Sequence, residues 1–398
     1  MQTNTSIEQK GSLQFGRSLL TDISLPAAVI SEPALANNIA WMQRFAEQRG
    51  SHLAPHGKTT MTPAIFRRQI AAGAWGITLA TATQCAAAFE HGVARLLMAN
   101  QLVGEPNMAI VGSLIERGAD FYCTVDSVAN VKALNTYFAR RGLVLQVLIE
   151  LGVPGGRCGL RNAAELDSLV AAIAECANIS LRGIEGYEGL IHGDDEVEAV
   201  RAYGRRLVEA TSTLKKAGAI DGKAIVTASG SKWFDLIAEA FEDAGLDGDI
   251  QPLMRPGCYV AHDHRLYRQA MEDVQARHPD LQGSLEAALT VFAHVQSLPE
   301  PGLAVVAMGK RDIAADPDLP IPLTVYRAGQ APRDAAGMTT TKIMDQHTML
   351  ELTPGADIEV GDIIAFGASH PCLTFDKWRQ VLLVDAQLQV REIMPTYF

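Results

Sequence analysis

The chain has no Cys-x-x-Cys pair; its six cysteines, Cys85, Cys123, Cys158, Cys176, Cys258 and Cys372, are scattered. That spread argues against a disulfide framework and fits the reduced thiols of a cytoplasmic protein. No run of about eighteen apolar residues occurs, so no membrane-spanning helix is predicted. Positive charge is also short: 34 Lys and Arg against 45 Asp and Glu give a net charge of -11. Nucleic acid and anionic membrane are therefore poor partners, because both are held by clustered basic side chains. Met1 to Leu20 lacks the apolar segment of a secretory leader. No low-complexity tract or long-period repeat is present, and no Gly-x-Gly-x-x-Gly follows the first strand candidate. These absences point to a soluble, cytoplasmic protein.

What is present is a 398-residue chain with 48% hydrophobic residues, enough for one large domain and a smaller one. From about 52 to 254, short apolar runs alternate with segments of helical period. Strands are expected near His52, Gly76, Arg95, Asp120, Leu143, Ile179, Lys223 and Asp249. Helices are expected between them, including Thr62 to Ala72, Thr83 to His91, Val131 to Arg140, Ala163 to Ala177 and Glu196 to Ala217. Eight such units match a (β/α)8 TIM-type barrel better than a doubly wound sheet, which would have fewer strands and a Gly-rich first loop. After Arg255-Pro256-Gly257 the pattern changes. A helix over Leu266 to Arg277 precedes β-type runs at Leu289 to Gln296, Leu303 to Met308, Ile363 to Phe366, Gln380 to Val384 and Val390 to Ile393. The predicted layout is a barrel over 25–265 and a C-terminal all-β domain formed by 1–24 with 266–398. Within the first range, the strand candidate Pro26 to Ser31, followed by a helix from Pro33 to Arg49, has the alternative of joining the β domain.

In a barrel of this kind the reactive groups gather at the C-terminal ends of the strands. Pro55-His56-Gly57-Lys58-Thr59-Thr60 sits where the first strand should end. A lysine there, beside His56 and next to a glycine that permits close approach, suits Schiff-base chemistry; the same lysine also reads as a surface residue of a polar loop. The seventh strand should run into Thr227-Ala228-Ser229-Gly230-Ser231, and the eighth into Arg255-Pro256-Gly257-Cys258-Tyr259. Small residues with free N–H groups and hydroxyls at those two places form an anion cradle, where such barrels hold phosphate. Lysine after strand one and a phosphate cradle after strands seven and eight together suggest pyridoxal phosphate.

Arg157 follows the fifth strand and a glycine-rich loop, placed to bond the cofactor's phenolic oxygen or a substrate carboxylate. Tyr187, near the end of the sixth strand, is placed to touch the ring. In Ser369-His370-Pro371-Cys372, an extended chain would project His370 and Cys372 from one face, a nitrogen–thiolate pair suited to a zinc-type ion with an open shell. A buried thiol beside a hydrogen-bonded histidine is the alternative. His347 lies upstream, either near that site or exposed in a loop.

In chain order, Pro55-His56-Gly57-Lys58-Thr59, Gly76-Ile77-Thr78-Leu79-Ala80-Thr81, Arg157-Cys158-Gly159, Arg255-Pro256-Gly257-Cys258-Tyr259 and the segment from Ser369 to Trp378 together resemble the D-serine dehydratase and D-threonine aldolase family. Its members are fold-type III pyridoxal phosphate enzymes related to alanine racemase, and the likeness runs from about residue 25 to the C-terminus. The resemblance implies Lys58 as the Schiff-base lysine, with His56, Arg157 and Tyr187 around the cofactor. It further implies Ser229, Gly230, Ser231, Gly257, Cys258 and Tyr259 about the phosphate, and His370 and Cys372 as ligands of a divalent metal: zinc first, manganese or magnesium as alternatives. It implies a homodimer acting on a small D-amino acid. Two departures, Lys58-Thr59-Thr60-Met61 and Gly186-Tyr187-Glu188-Gly189, fall where substrate should bind and leave its identity open. Within this family a thiolate ligand is a feature of dehydratases and a His-x-Asp arrangement one of aldolases, so Cys372 favours dehydration to a 2-oxo acid and ammonia. Retro-aldol cleavage to glycine and an aldehyde is the alternative, ahead of a racemase or a non-catalytic pyridoxal phosphate carrier.

Overall fold

The structure is a computed structural model that describes residues 9–14, 16–220 and 222–398. In chain order, its first nine strands are β1 (Ala27–Ser31), β2 (His52–Leu53), β3 (Ile77–Leu79), β4 (Arg95–Gln101), β5 (Asp120–Val125), β6 (Leu145–Leu151), β7 (Ile179–Gly186), β8 (Ala224–Ala228) and β9 (Ile250–Met254). The helices among them are α1 (Glu32–Gln48), α2 (Pro63–Ala71), α3 (Ala82–Glu90), α4 (Glu105–Glu116), α5 (Val128–Arg140), α6 (Ala163–Ala174), α7 (Glu196–Lys216) and α8 (Phe234–Asp243). Then come α9 (Leu266–Arg277), β10 (Leu289–Glu300), β11 (Leu303–Val306), β12 (Ile321–Tyr326), β13 (Arg333–Asp334), β14 (Met338–Ile343), β15 (Thr348–Leu352), β16 (Ile363–Gly367), α10 (Pro371–Phe375), β17 (Gln380–Val384) and β18 (Val390–Pro395).

Chain contacts divide the molecule into two units, one of residues 40–58 and 65–257, the other of residues up to 39, 59–64 and from 258 onward. The first unit is the barrel. Its eight parallel strands follow the order β2-β9-β8-β7-β6-β5-β4-β3. The two ends of that sheet meet: the N–H of Trp75 donates to Leu53 O and that of Thr78 to Pro55 O, and His56 bridges Thr78 in parallel. Strands such as β8, Ala-Ile-Val-Thr-Ala, are buried along their whole length, as expected where helices cover one face and a packed interior the other. That interior is visible as one cluster of Leu97, Tyr122, Leu148, Ile225 and Leu253, drawn from five different strands that only a curled sheet brings together. The expected eight strands and the barrel are all found. Helix starts follow ordinary capping chemistry: Thr81 accepts the N–H of Gln84 at α3, and Ser127 that of Asn130 at α5.

The second unit is built on a mixed sheet of order β13-β12-β16-β10-β1-β17-β18, with β11, β14 and β15 attached through β10. β1 runs antiparallel to β10 and parallel to β17, and its alternating residues Ala27 and Val29 pack with Phe292, Ala365 and Leu382. This differs from a boundary at residue 25. β1 belongs to the mixed sheet because its backbone pairs there, and the contact division runs through α1 at 39/40. The other end falls at 257/258 rather than 265/266. Of the segment 1–24 assigned to this unit, residues 1–8 and 15 lie outside the described residues. Four strands, β12 to β15, were not predicted, and the segment after His370 is helical rather than extended. Among the described residues no helix is long and apolar enough to cross a membrane.

Candidate active site

The barrel unit carries eight of the predicted cofactor residues. Lys58 stands in the 3-10 turn Gly57–Thr59, a few residues beyond β2, the first strand of the barrel, with its side chain exposed. His56 is half-buried, its N–H donates to Pro256 O, and its Nδ1 is buried with no hydrogen-bond partner. Burial, and then the positive charges of Lys58, Arg255 and Arg157, hold that imidazole well below its ordinary pKa, so it is neutral near pH 7. Arg157 lies with its guanidinium carbon 4.5 Å from the centroid of the Tyr187 ring, which brings together two residues placed 30 positions apart. The backbone N–H of Tyr187 donates to Tyr203 Oη at 3.0 Å, and Tyr203 in turn donates to Leu151 O. Gly186 is required there, since a Cβ would stand 2.2 Å from the Tyr203 hydroxyl.

The loop after β8 departs from the expected cradle. Ser229 has φ +91°, a left-handed conformation uncommon for a non-glycine residue. Its N–H, and that of Gly230, both donate to the carboxylate of Glu188, which is fully buried. Burial pushes the Glu188 carboxyl up, and these backbone donors oppose that shift. Two donors expected to face phosphate thus serve a side chain. The N–H of Gly257 donates to Ser231 Oγ at 3.1 Å, which joins the two expected cradle loops, while Ser229 Oγ is buried and unpartnered.

Residues the sequence reasoning did not assign complete the barrel mouth. Arg255 is buried after β9: its Nε donates to Thr227 Oγ1 at 2.9 Å, and its Nη2 to Gly186 O at 2.8 Å and to the Glu185 carboxylate. Both members of this ion pair are about 5% exposed or less. The other oxygen of Glu185, Oε2, has no partner. Glu150, near the end of β6, accepts from Gln101 Nε2 at 2.6 Å. Burial, reinforced by the nearby Glu185, pushes its carboxyl up to about 7. Three buried polar atoms without partners, His56 Nδ1, Ser229 Oγ and Glu185 Oε2, therefore follow the C-terminal ends of β2 and β8 or lie at that of β7. A buried polar atom left unbonded costs stability, so such a group fits a site made for a polar ligand. A phosphorylated pyridine aldehyde fits that description.

The β unit carries the other four predicted residues. Tyr259 and Cys258 lie buried in the 3-10 turn Cys258–Val260. His370 caps α10, whose first residue is Pro371, so Cys372 sits in a helical first turn. The extended geometry expected for His370 and Cys372 is not found, because proline at the first helical position pre-sets the turn. The two side chains nevertheless interact. Cys372 Sγ lies 3.4 Å from Thr59 Oγ1 and 3.4 Å from Cys258 Sγ, and His370 Nδ1 lies 3.6 Å from Asp316. Hydrogen bonding from Cys258, and then from His370, draws the Cys372 thiol down toward the thiolate, while the hydrogen bond to Cys372 and burial push Cys258 up. The Cys372 thiolate and Asp316 raise the pKa of His370. A thiolate beside an imidazole is a fitting donor pair for a borderline-soft divalent ion. Among the described residues, however, no group of three or more His, Cys, Asp or Glu is arranged to hold one. His347 is exposed at the hairpin between β14 and β15, its carbonyl accepting the N–H of Met344. Sequence reasoning also passed over His262, which is buried, and His264, which is half-buried, each with Nδ1 unpartnered. Burial lowers each to about 4.

The family model of the alanine racemase N-terminal domain matches residues 30–244, more than half of the chain, and the protein belongs to that family. A second model, described as a putative serine dehydratase domain, matches residues 288–384. Among characterised proteins the chain is 28% identical over 398 aligned residues to the D-threo-3-hydroxyaspartate dehydratase of Delftia sp. (strain HT23), covering 94% of this chain and 98% of that one. It is 25% identical over 366 residues to the D-threonine aldolase of Arthrobacter sp, covering 90% and 88%. The solved structure of D-threonine aldolase from Filomicrobium marinum superposes with a TM-score of 0.83 at 23% identity, over 98% of each chain. The fold is thus that of the alanine racemase-like enzymes, from barrel to mixed sheet.

Proposed function

We propose that this chain is a pyridoxal phosphate- and metal-dependent lyase that dehydrates a β-hydroxy-D-amino acid such as D-serine, releasing a 2-oxo acid and ammonia. The observation that carries the reading is the His370–Cys372 pair, with Cys372 held toward the thiolate that binds metal. Similarity to a D-threo-3-hydroxyaspartate dehydratase supports it. When bound, pyridoxal phosphate supplies an electron sink for the substrate's α-carbon, and a divalent ion, zinc first, supplies Lewis acidity toward the β-hydroxyl.

The chain's own residues divide the remaining work. Lys58 would hold the cofactor through its amine and, when that amine is free, would take the α-proton on Nζ. His56, neutral and with Nδ1 unpartnered, orients the cofactor without competing for that proton. Glu185 Oε2, with Arg255 holding the carboxylate in place, would be available to accept a hydrogen bond from the bound cofactor. Arg157, steadied against Tyr187, binds a negatively charged oxygen. Ser229 Oγ, which has no partner, and Ser231 Oγ, held by the N–H of Gly257, would face the phosphate. The expected assembly is a homodimer in the cytoplasm, with a small D-amino acid as substrate.

Retro-aldol cleavage is the second reading, favoured by the similarity to D-threonine aldolases. Incubating the holoenzyme with D-serine, D-threonine and D-threo-3-hydroxyaspartate and separating the products tests the choice. Keto acid with stoichiometric ammonia supports dehydration; glycine with an aldehyde as the main products rejects it.

A further inference from the structure

We propose that Cys258 and Cys372 form a reversible oxidation site whose disulfide withdraws Cys372 from metal binding. The regulatory part of this inference rests on the reading of Cys372 as a metal ligand; the disulfide itself does not. The two sulfurs lie 3.4 Å apart although 114 positions separate them in the chain. A disulfide bond is about 2.0 Å long, so its formation needs an approach of roughly 1.4 Å. Thr59 Oγ1 touches both thiols, at 3.7 Å from Cys258 Sγ and 3.4 Å from Cys372 Sγ, and keeps them side by side. Exposure is unequal: Cys372 is partly open to solvent whereas Cys258 is buried. An oxidant therefore meets Cys372 first, with Cys258 in contact to resolve the product. Cys85, Cys123 and Cys176 are buried and lack that access.

The oxidant class is a peroxide. In the first step the Cys372 sulfur attacks one peroxide oxygen, the O–O bond breaks, and sulfenic acid and water form. In the second step the Cys258 sulfur attacks the sulfenic sulfur, and the S–O bond breaks as the S–S bond forms. The thiol proton leaves with the hydroxyl as a second water. Two sulfurs are oxidised and one peroxide is reduced to water. A disulfide sulfur is no longer a thiolate and binds metal poorly, so the oxidised chain loses the ion; a thiol reductant restores it.

The test treats metal-stripped and metal-loaded full-length protein with hydrogen peroxide and follows intact mass, peptide maps and metal content. The expected result for the stripped protein is a loss of two hydrogens' mass and a Cys258–Cys372 peptide cross-link. It should be accompanied by loss of zinc uptake that dithiothreitol reverses, and the metal-loaded protein should be protected. Cys258→Ser should give no cross-link and should instead carry Cys372 to the sulfinic acid. Sulfinic acid on Cys372 of the native chain, without a cross-link, overturns the proposal and leaves the metal reading intact. A cross-link that leaves zinc uptake unchanged overturns the regulatory consequence by removing Cys372 from the metal set.

Discussion

Arg157 stacks its guanidinium over the ring of Tyr187, 4.5 Å from the centroid, so the two side chains act as one surface at the barrel mouth. The contact is worth about 0.5–2 kcal/mol depending on how dry it becomes. Arg157→Lys should keep the charge but lose the flat stacking and the fork of donors. We expect weaker cofactor retention, read as a few-fold higher dissociation constant by absorbance titration, with the fold unchanged by circular dichroism. Retention equal to the native chain would remove Arg157 from the cofactor site.

The Glu185–Arg255 pair makes a prediction about stability. Both side chains are buried, and Arg255 also bonds Thr227 and the Gly186 carbonyl. Arg255→Ala leaves a buried carboxylate unpaired, a loss expected to cost about 3–5 kcal/mol. Urea unfolding of the cofactor-free protein should show it as a lower midpoint. Substituting Glu185→Gln at the same time should recover part of the loss, because the unpaired charge is then gone.

Glu150 gives a pH dependence with a definite sign. Its carboxyl is raised from 4.5 to about 7 by burial and the charge of Glu185. Between those values the native state holds a proton that the unfolded chain has released, so stability falls as pH rises. The contribution is fully present below about 4.5 and is lost as pH passes through about 7, amounting to roughly 3 kcal/mol by linkage. Glu150→Gln should flatten the stability profile over that range. A native profile that rises from pH 5 to 8 and is unaffected by Glu150→Gln would contradict the assignment.

Metal removal should separate the two cofactors. Prolonged chelation is expected to abolish turnover while the cofactor's absorbance persists, since Lys58 and the metal donors are different residues. Zinc should then restore activity; full activity after complete chelation would exclude a metal role.

Much of this molecule was legible in the sequence for a physical reason. Strands buried on both faces, such as Leu-Gln-Val-Leu-Ile-Glu-Leu in β6, stand out as apolar runs, and strand ends then point to Lys58, Arg157 and Ser229. β12 and β14, Ile-Pro-Leu-Thr-Val-Tyr and Met-Thr-Thr-Thr-Lys-Ile, are only partly buried and carry polar residues or proline, so no run marks them. The Pro371 helix start was hidden by the expectation of an extended chain. Glu185 with Arg255 and Cys258 with Cys372 are contacts across 70 and 114 positions, which local spacing does not encode. Glu188 was the least legible, because its partners are the backbone N–H groups of a loop set by the left-handed turn at Ser229.

On the proposed reading, Lys58 is the residue that holds the cofactor. Reducing the holoprotein with borohydride and mapping the peptide that carries the pyridoxyl group tests it directly. A single modified residue, Lys58, is expected, with no modification in Lys58→Ala. A pyridoxyl group on another lysine, or a Lys58→Ala protein that still traps one equivalent, would contradict it.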